Sequence, residues 1–228
     1  MKLERLTDRV WFYPNEQERD RPVLGYIRGD NYSLAIDAGH SDAHTAEFYD
    51  AIKEEGLQLP SLTVITHWHW DHTFGMHAIN GLSIANSKTN EYLRDFRERI
   101  EKNGLDEFFN LDISIRREYA GNRPVKIVTS DIEFSGEMII DVGGCKIRAF
   151  QAEAPHTDDS TLVEVVDEKV LFLGDSVSGV FPTWVKDSQL SRKLADTIEK
   201  VAPKYCVDGH WVPTTMEDTI ADLLAENS

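Results

Sequence analysis

The stretch Thr66-His67-Trp68-His69-Trp70-Asp71-His72-Thr73 packs three imidazoles and a carboxylate into eight residues. It follows Leu62-Thr63-Val64-Ile65, a short apolar, β-branched run that reads as a buried strand. While the chain stays extended past Ile65, alternate side chains share a face, so His67 and His69 point the same way. Asp71 keeps that phase if the extension persists. His72 falls out of it, and Thr73-Phe74-Gly75 reads as a turn into a helix. One loop therefore offers two groups of ligands at different angles. Imidazole and carboxylate are what a borderline divalent metal takes, and spacing this tight suits two ions better than one.

Three more polar residues stand just past apolar strands, where loops carry function on a rigid scaffold. His156 lies beyond the run that ends near Phe150, in Ala154-Pro155-His156-Thr157-Asp158-Asp159-Ser160. Asp175 follows Val170–Leu173, in Gly174-Asp175-Ser176. His210 follows Tyr205-Cys206-Val207, in Asp208-Gly209-His210-Trp211. An isolated aspartate there is more often a turn residue than a ligand, and a lone loop histidine is usually just solvated. Their joint arrangement argues for chemistry.

The elements that must position these groups alternate along the chain. Val10–Tyr13, Leu24–Asn31 and Tyr32–Ile36 read as strands, the last two as a hairpin. Asp42 or Ser41 caps a helix over Ala43–Glu55, ended by Gly56. A second helix runs from Ser87 to Lys102, with Tyr92, Phe96 and Ile100 recurring every four residues and Leu93 beside them. Leu105–Arg123 mixes Phe108-Phe109, Leu111, Ile113 and Ile115 with charges and reads as helix and loop. Strands resume at Val125–Val128, Glu137–Ile140 and Cys145–Phe150. Leu162–Val166 and Val170–Leu173 form a hairpin turning at Asp167-Glu168. Leu190, Leu194, Ile198 and Val201 mark another helix, and Thr215 with Asp218 makes a capping box for the last one. The expectation is one domain over residues 1–228, with layered α/β packing around paired sheets and a helical insertion at about 87–123. That insertion is expected as a lid or pairing surface beside the site, outside the sandwich core, so a homodimer is one expectation.

Composition narrows the function. The chain has 228 residues, 41% hydrophobic content and a formal net charge of −16. That charge disfavours nucleic acid and other polyanions that need a broad basic surface. No apolar run approaches the ~20 residues of a membrane span, and the N-terminus has no apolar signal region. Two cysteines, Cys145 and Cys206, make no disulfide framework. A cytoplasmic protein with reduced, buried thiols is expected.

The order His-x-His-x-Asp-His, then His, then Asp, then His, each at a strand end, resembles the metallo-β-lactamase superfamily from Asp37 to His210. The resemblance implies a four-layer αββα sandwich with metals at one edge. It implies that His67, His69 and His156 hold one ion, that Asp71, His72 and His210 hold the other, and that Asp175 bridges them. Asp37, in Ile36-Asp37-Ala38-Gly39, matches an aspartate that orients ligands without binding metal. His40, His44 and His77 match no ligand position.

Two divalent ions about 3.5–4 Å apart lower the pKa of a bridging water and polarise a carbonyl or phosphoryl oxygen. Asp71 could accept that water's proton. No Gly-x-Ser-x-Gly elbow is present. The expected function is metal-dependent hydrolysis of an ester, thioester, lactone or amide-type bond in a small molecule, with zinc leading and iron or manganese as alternatives. A mononuclear-iron persulfide dioxygenase on the first-ion ligands is the alternative, and phosphodiesterase or β-lactamase side activities are further ones. Only 18 residues follow His210, too few for the glutathione-binding tail of glyoxalase II-like thioesterases. Trp184 and Phe181, after Asp175, are expected substrate contacts. Trp68 and Trp70 are expected mainly in core packing.

Overall fold

The computed structural model describes residues 1–121 and 123–225, so Asn122 of the expected insertion lies outside the described residues. Two sheets face each other. The first takes seven strands in chain order: β1 (Glu4–Arg5), β2 (Val10–Tyr13), β3 (Leu24–Arg28), β4 (Ser33–Ile36), β5 (Leu62–Val64), β6 (Leu82–Asn86) and β7 (Ile132–Phe134). The pairs from β1 to β4 are antiparallel, and those from β4 to β7 are parallel. The second takes β8 (Glu137–Asp141), β9 (Lys146–Gln151), β10 (Thr161–Val165), β11 (Val170–Gly174) and β12 (Tyr205–Asp208). Here only β11 and β12 pair in parallel.

Alternation along the strands puts one set of side chains between the sheets. Val10, Ile27, Leu34, Ile36 and Val64 of the first sheet meet Ile147, Val163, Val165, Phe172 and Val207 of the second, all buried. Gly25 is required at this contact, because a Cβ there would stand 2.6 Å from the Phe172 ring. The outward faces are covered by helices. α1 (Asp42–Glu54) lays Phe48 and Ile52 over Tyr13, Leu24 and Tyr26. α6 (Ser188–Val201) and α7 (Met216–Leu224) cover Leu162, Leu171 and Leu173 with Leu194, Ile198 and Leu223. The result is the expected four-layer αββα sandwich. Ser41, not Asp42, caps α1, accepting from the His44 N–H at 3.3 Å. Thr215 caps α7 through the Asp218 N–H at 3.1 Å.

Four helices follow β5 in chain order: α2 (Trp70–Thr73), α3 (Ser87–Asn103), α4 (Asp106–Phe109) and α5 (Ile113–Glu118). They share an apolar cluster of their own, built from Ile65, Trp70, Phe74, Leu93, Phe96, Ile100, Phe108, Ile115 and Tyr119. The Phe96 and Ile100 stripe is therefore buried within the chain, and Phe108 is fully buried. α5 is also tied to the N-terminal region by a two-pronged ion pair. Arg21 Nε and Nη2 donate to the Glu118 carboxylate at 2.7 and 3.0 Å, with both side chains fully buried.

The expectation of a strand at Val125–Val128 is corrected: that segment is irregular, and its apolar side chains pack on the helical cluster. The edge strand is Ile132–Phe134, paired with β6. Among the described residues no helix is long and apolar enough to cross a membrane.

Candidate metal centre

Strand ends bring the chemistry together. Asp37 follows β4, His67 to His72 follow β5, His156 follows β9, Asp175 follows β11 and His210 follows β12. Both sheets thus deliver polar side chains to one edge of the sandwich. His67, His69, His156 and Asp175 form one group, and Asp71, His72, Asp175 and His210 form a second. Within each group one ligand atom per residue lies within 4.8 Å of all the others.

In the first group, His69 Nδ1 is 3.1 Å from His67 Nε2 and 2.9 Å from His156 Nε2. Asp175 Oδ2 lies 3.9 Å from His67 Nε2 and 3.7 Å from His156 Nε2. In the second, His72 Nε2 is 3.3 Å from Asp71 Oδ2 and 3.2 Å from Asp175 Oδ1. His210 Nε2 is 3.1 Å from Asp71 Oδ2 and 3.4 Å from Asp175 Oδ2.

The partners behind the ligands fix which ring nitrogen is free. His67 Nδ1–H donates to Thr66 Oγ1 at 3.1 Å, and His156 Nδ1–H donates to the Gly179 carbonyl at 2.7 Å. His72 Nδ1–H donates to Asp37 Oδ2 at 2.7 Å. In each case Nε2 is left to face the group's centre. Asp37 itself accepts from the Thr66 N–H at 2.8 Å and from Thr66 Oγ1 at 2.9 Å. It stands at φ 61°, a left-handed backbone that few non-glycine residues adopt.

Electrostatics match this donor set. Burial, aided by the neighbouring His72, holds His67 well below its ordinary range, and burial pushes His69 down to about 3. Both are therefore neutral, as a ligand must be. Burial works against the charge on Asp71 and Asp175, yet their histidine neighbours outweigh it and hold both carboxyls well below the usual range. Burial likewise opposes protonation of His72 and His210, but the same carboxylates raise both, so an ion bound there would have to displace those protons. His72 Nε2 and Asp175 Oδ1 are buried without a hydrogen-bond partner. Converging orphans of this kind call for a cation that satisfies both. The residues present fit divalent ions bound by nitrogen and oxygen.

His40 and His44 are fully buried and outside both groups. His40 Nδ1–H donates to the Arg19 carbonyl at 2.9 Å, and His44 Nδ1 accepts from the His40 N–H at 3.3 Å. His77 Nδ1–H donates to the Phe74 carbonyl at 2.8 Å. All three serve local structure.

A cleft of about 220 Å³ opens over the ligands, lined by Trp70, Phe181, Trp184, Trp211, Ser178 and Asp20 beside His69, Asp71, Asp175 and His210. Phe181 and Trp184, the expected substrate contacts, line this cleft. Trp70 serves two roles, core on one side and cleft wall on the other, while Trp68 packs on Tyr92 and Phe96. Sequence reasoning missed Trp211 and Asp20. Trp211 had a signal, an indole directly after a ligand histidine. Asp20 had none, since it sits in a polar stretch that reads as a solvated turn. Its carboxyl is raised to about 7 by burial and by the Asp71 charge. Bound cations would offset the Asp71 charge and remove that part of the rise.

Paired imidazole–carboxylate groups that could hold metal ions stand at one edge of an αββα sandwich. The family model of the metallo-beta-lactamase superfamily matches residues 23–210, and the chain belongs to that superfamily. Solved structures of the same fold include a metallo-beta-lactamase from Pontibacter korlensis, at 17% identity and TM-score 0.71, with 98% of this chain and 96% of that one covered. The DIM-1 metallo-beta-lactamase exposed to ceftazidime gives 16% identity and TM-score 0.70, covering 98% and 94%. A double mutant of the sec-alkyl sulfatase PisA1 gives 14% identity and TM-score 0.72, covering 97% of this chain and 40% of that one. No match was found among curated proteins.

Proposed function

We propose that this protein is a hydrolase of small molecules that uses two divalent ions, zinc foremost, to cleave an ester, thioester, lactone or amide-type bond. The observation that carries this reading is Asp175, whose two oxygens face both ligand groups at once. Two ions bound there would acidify a water and polarise the carbonyl under attack. The chain's own residues do the rest. Thr66, Asp37 and the Gly179 carbonyl lock three imidazoles so that Nε2 faces inward. Asp71, held ionised, is positioned to take the attacking water's proton. The aromatic walls of the cleft exclude bulk water and hold the apolar part of the substrate. Neither thiol competes as a nucleophile, because burial pushes Cys145 and Cys206 up to about 11. Two buried, unpaired thiols also suit a reducing compartment such as the cytoplasm.

The test is metal analysis of protein purified without added metal, followed by a panel of esters, lactones, thioesters, phosphodiesters and β-lactams. About two ions per chain and turnover of a carbonyl substrate are expected. Asp175→Ala should lose mainly the ion held by Asp71, His72 and His210, and nearly all turnover. One tightly bound iron, with oxygen consumed on a persulfide, would overturn the hydrolase reading. Wild-type rates in Asp175→Ala with both ions retained would reduce Asp175 to a turn residue.

A further inference from the structure

The wall of the cleft has a chemistry of its own. Phe181 and Trp184 meet edge to face at 5.7 Å, and Trp70 meets Phe181 at 5.2 Å. Trp184 and Trp211 are 53% and 61% exposed, so their rings form the mouth. Asp20 brings a carboxylate to the same space, with 41% of its side chain exposed. Among the described residues no lysine or arginine lines this cleft. Lys186 lines the adjoining cavity, where its Nζ donates to the Asp222 carbonyl at 3.1 Å.

Backbone conformation adds to the case. Five non-glycine residues among those described have positive φ, and Asp20 at 51° and Trp184 at 56° are two of them. A bulky aromatic rarely takes that conformation, so the chain bears a local cost at Trp184, whereas aspartate takes it more readily. The turn carrying Asp20 is also anchored. Arg21, the next residue, is fully buried and gripped by Glu118, and the Asp20 N–H donates to the Gln17 carbonyl at 3.3 Å. Asp20 Oδ1 stands 3.6 Å from His210 Nδ1, within reach of an ion pair but too far for a hydrogen bond, so its hydrogen-bonding lone pairs stay open. Its carboxylate therefore has capacity for another partner.

Aromatic faces with a carboxylate at one end are what holds an ammonium group. The net charge of −16 draws cations toward the molecule and repels anions. We propose that the cleft selects substrates bearing a cationic amine or quaternary ammonium beside the scissile bond, with Asp20 pairing the charge against the Phe181, Trp184 and Trp211 faces. This rests on the hydrolase reading and names its substrate class.

Three phenyl esters test it, with acyl arms ending in trimethylammonium, its tert-butyl isostere, or carboxylate. Each is assayed on metal-loaded wild type and Asp20→Asn. Asp20→Asn should lower kcat/KM for the ammonium ester about tenfold more than for the tert-butyl ester, and the carboxylate ester should be the poorest in wild type. Benzyltrimethylammonium, read by tryptophan fluorescence, should bind wild type about tenfold more tightly than the variant. Equal loss on all three esters, with reduced metal content, would overturn the proposal and make Asp20 an orienting group for His210. Preference for the carboxylate ester would overturn it too. Asp20-dependent binding of the ammonium without hydrolysis of any ester would uphold the cation site and sink the hydrolase reading alone.

Discussion

Gly209 is the tightest point of the centre. A Cβ there would stand 2.1 Å from Asp175 Oδ1 and 3.0 Å from His72 Cε1. Neither can retreat, since Asp175 serves both groups and His72 is held by Asp37. Gly209→Ala should therefore displace the Asp175 carboxylate and cut metal content and turnover, while far-ultraviolet circular dichroism stays native; wild-type metal content would show that the loop yields instead. Asp159 works at a distance from the ligands. It accepts from Thr89 of α3 at 2.8 Å and from Thr157 at 2.7 Å, tying the His156 loop to a helix. Burial raises its carboxyl from 3.8 to about 6. Such a group binds more protons folded than unfolded between those values, so its contribution to stability is present at low pH and lost as pH rises through about 6. Urea unfolding of wild type and Asp159→Asn should show the variant gaining roughly 2 kcal/mol relative to wild type from pH 4 to 7. A constant difference would mean that Asp159 titrates normally. The sequence displays the candidate ligands openly, because few residue types can bind metal and each has a distinctive side chain. It hides Gly209 and Asp20, whose roles come from close approach and from a turn's direction, neither written in residue type.

Among elements, the α3–α5 segment shows how periodicity can be right while its destination stays open. Phe96 and Ile100 had to bury somewhere, on this chain or on a partner. They pack on Trp70 and Phe74 of the ligand loop, with Phe108 edge to face against Trp70 at 5.9 Å. The stripe that could have been a pairing surface is thereby the floor beneath α2. Phe108→Ala should cost about 3–5 kcal/mol by opening a cavity in this cluster. Trp70 and Asp71 would lose their backing, so metal affinity should fall with the melting temperature. A variant that melts like wild type would return Phe108 to a surface role. Val125–Val128 failed as a strand for a related reason: an alternating apolar run makes a strand only where a sheet edge offers hydrogen bonds, and this one crosses helices. β6 carries no strand signature, because buried Ser83 and Asn86 break up its short apolar run.

At the scale of the whole molecule, the centre is a clasp between two sheets. His67, His69, Asp71 and His72 come from the seven-stranded sheet, and His156, Asp175 and His210 from the five-stranded one. Each ligand group draws on both sheets. Paired sheets could be read from strand patterning and the candidate ligands from their places at strand ends, while the four-layer sandwich and the division into two groups follow from the superfamily resemblance. Their meeting across the two sheets is a property of topology, which local patterns do not carry. Metal held across the sheets would favour the folded chain over the unfolded one and add to stability by mass action, up to about 4 kcal/mol at a thousandfold excess over Kd. For a chain of this size that is roughly 8–16 °C in Tm. Calorimetry of the metal-loaded protein with and without a chelator should show that shift, and Asp175→Ala, with one group broken, a smaller one. Coincident melting of loaded and chelated protein would mean that the sheets hold together on the Ile36–Phe172–Val207 core alone, and that the centre merely decorates their edge.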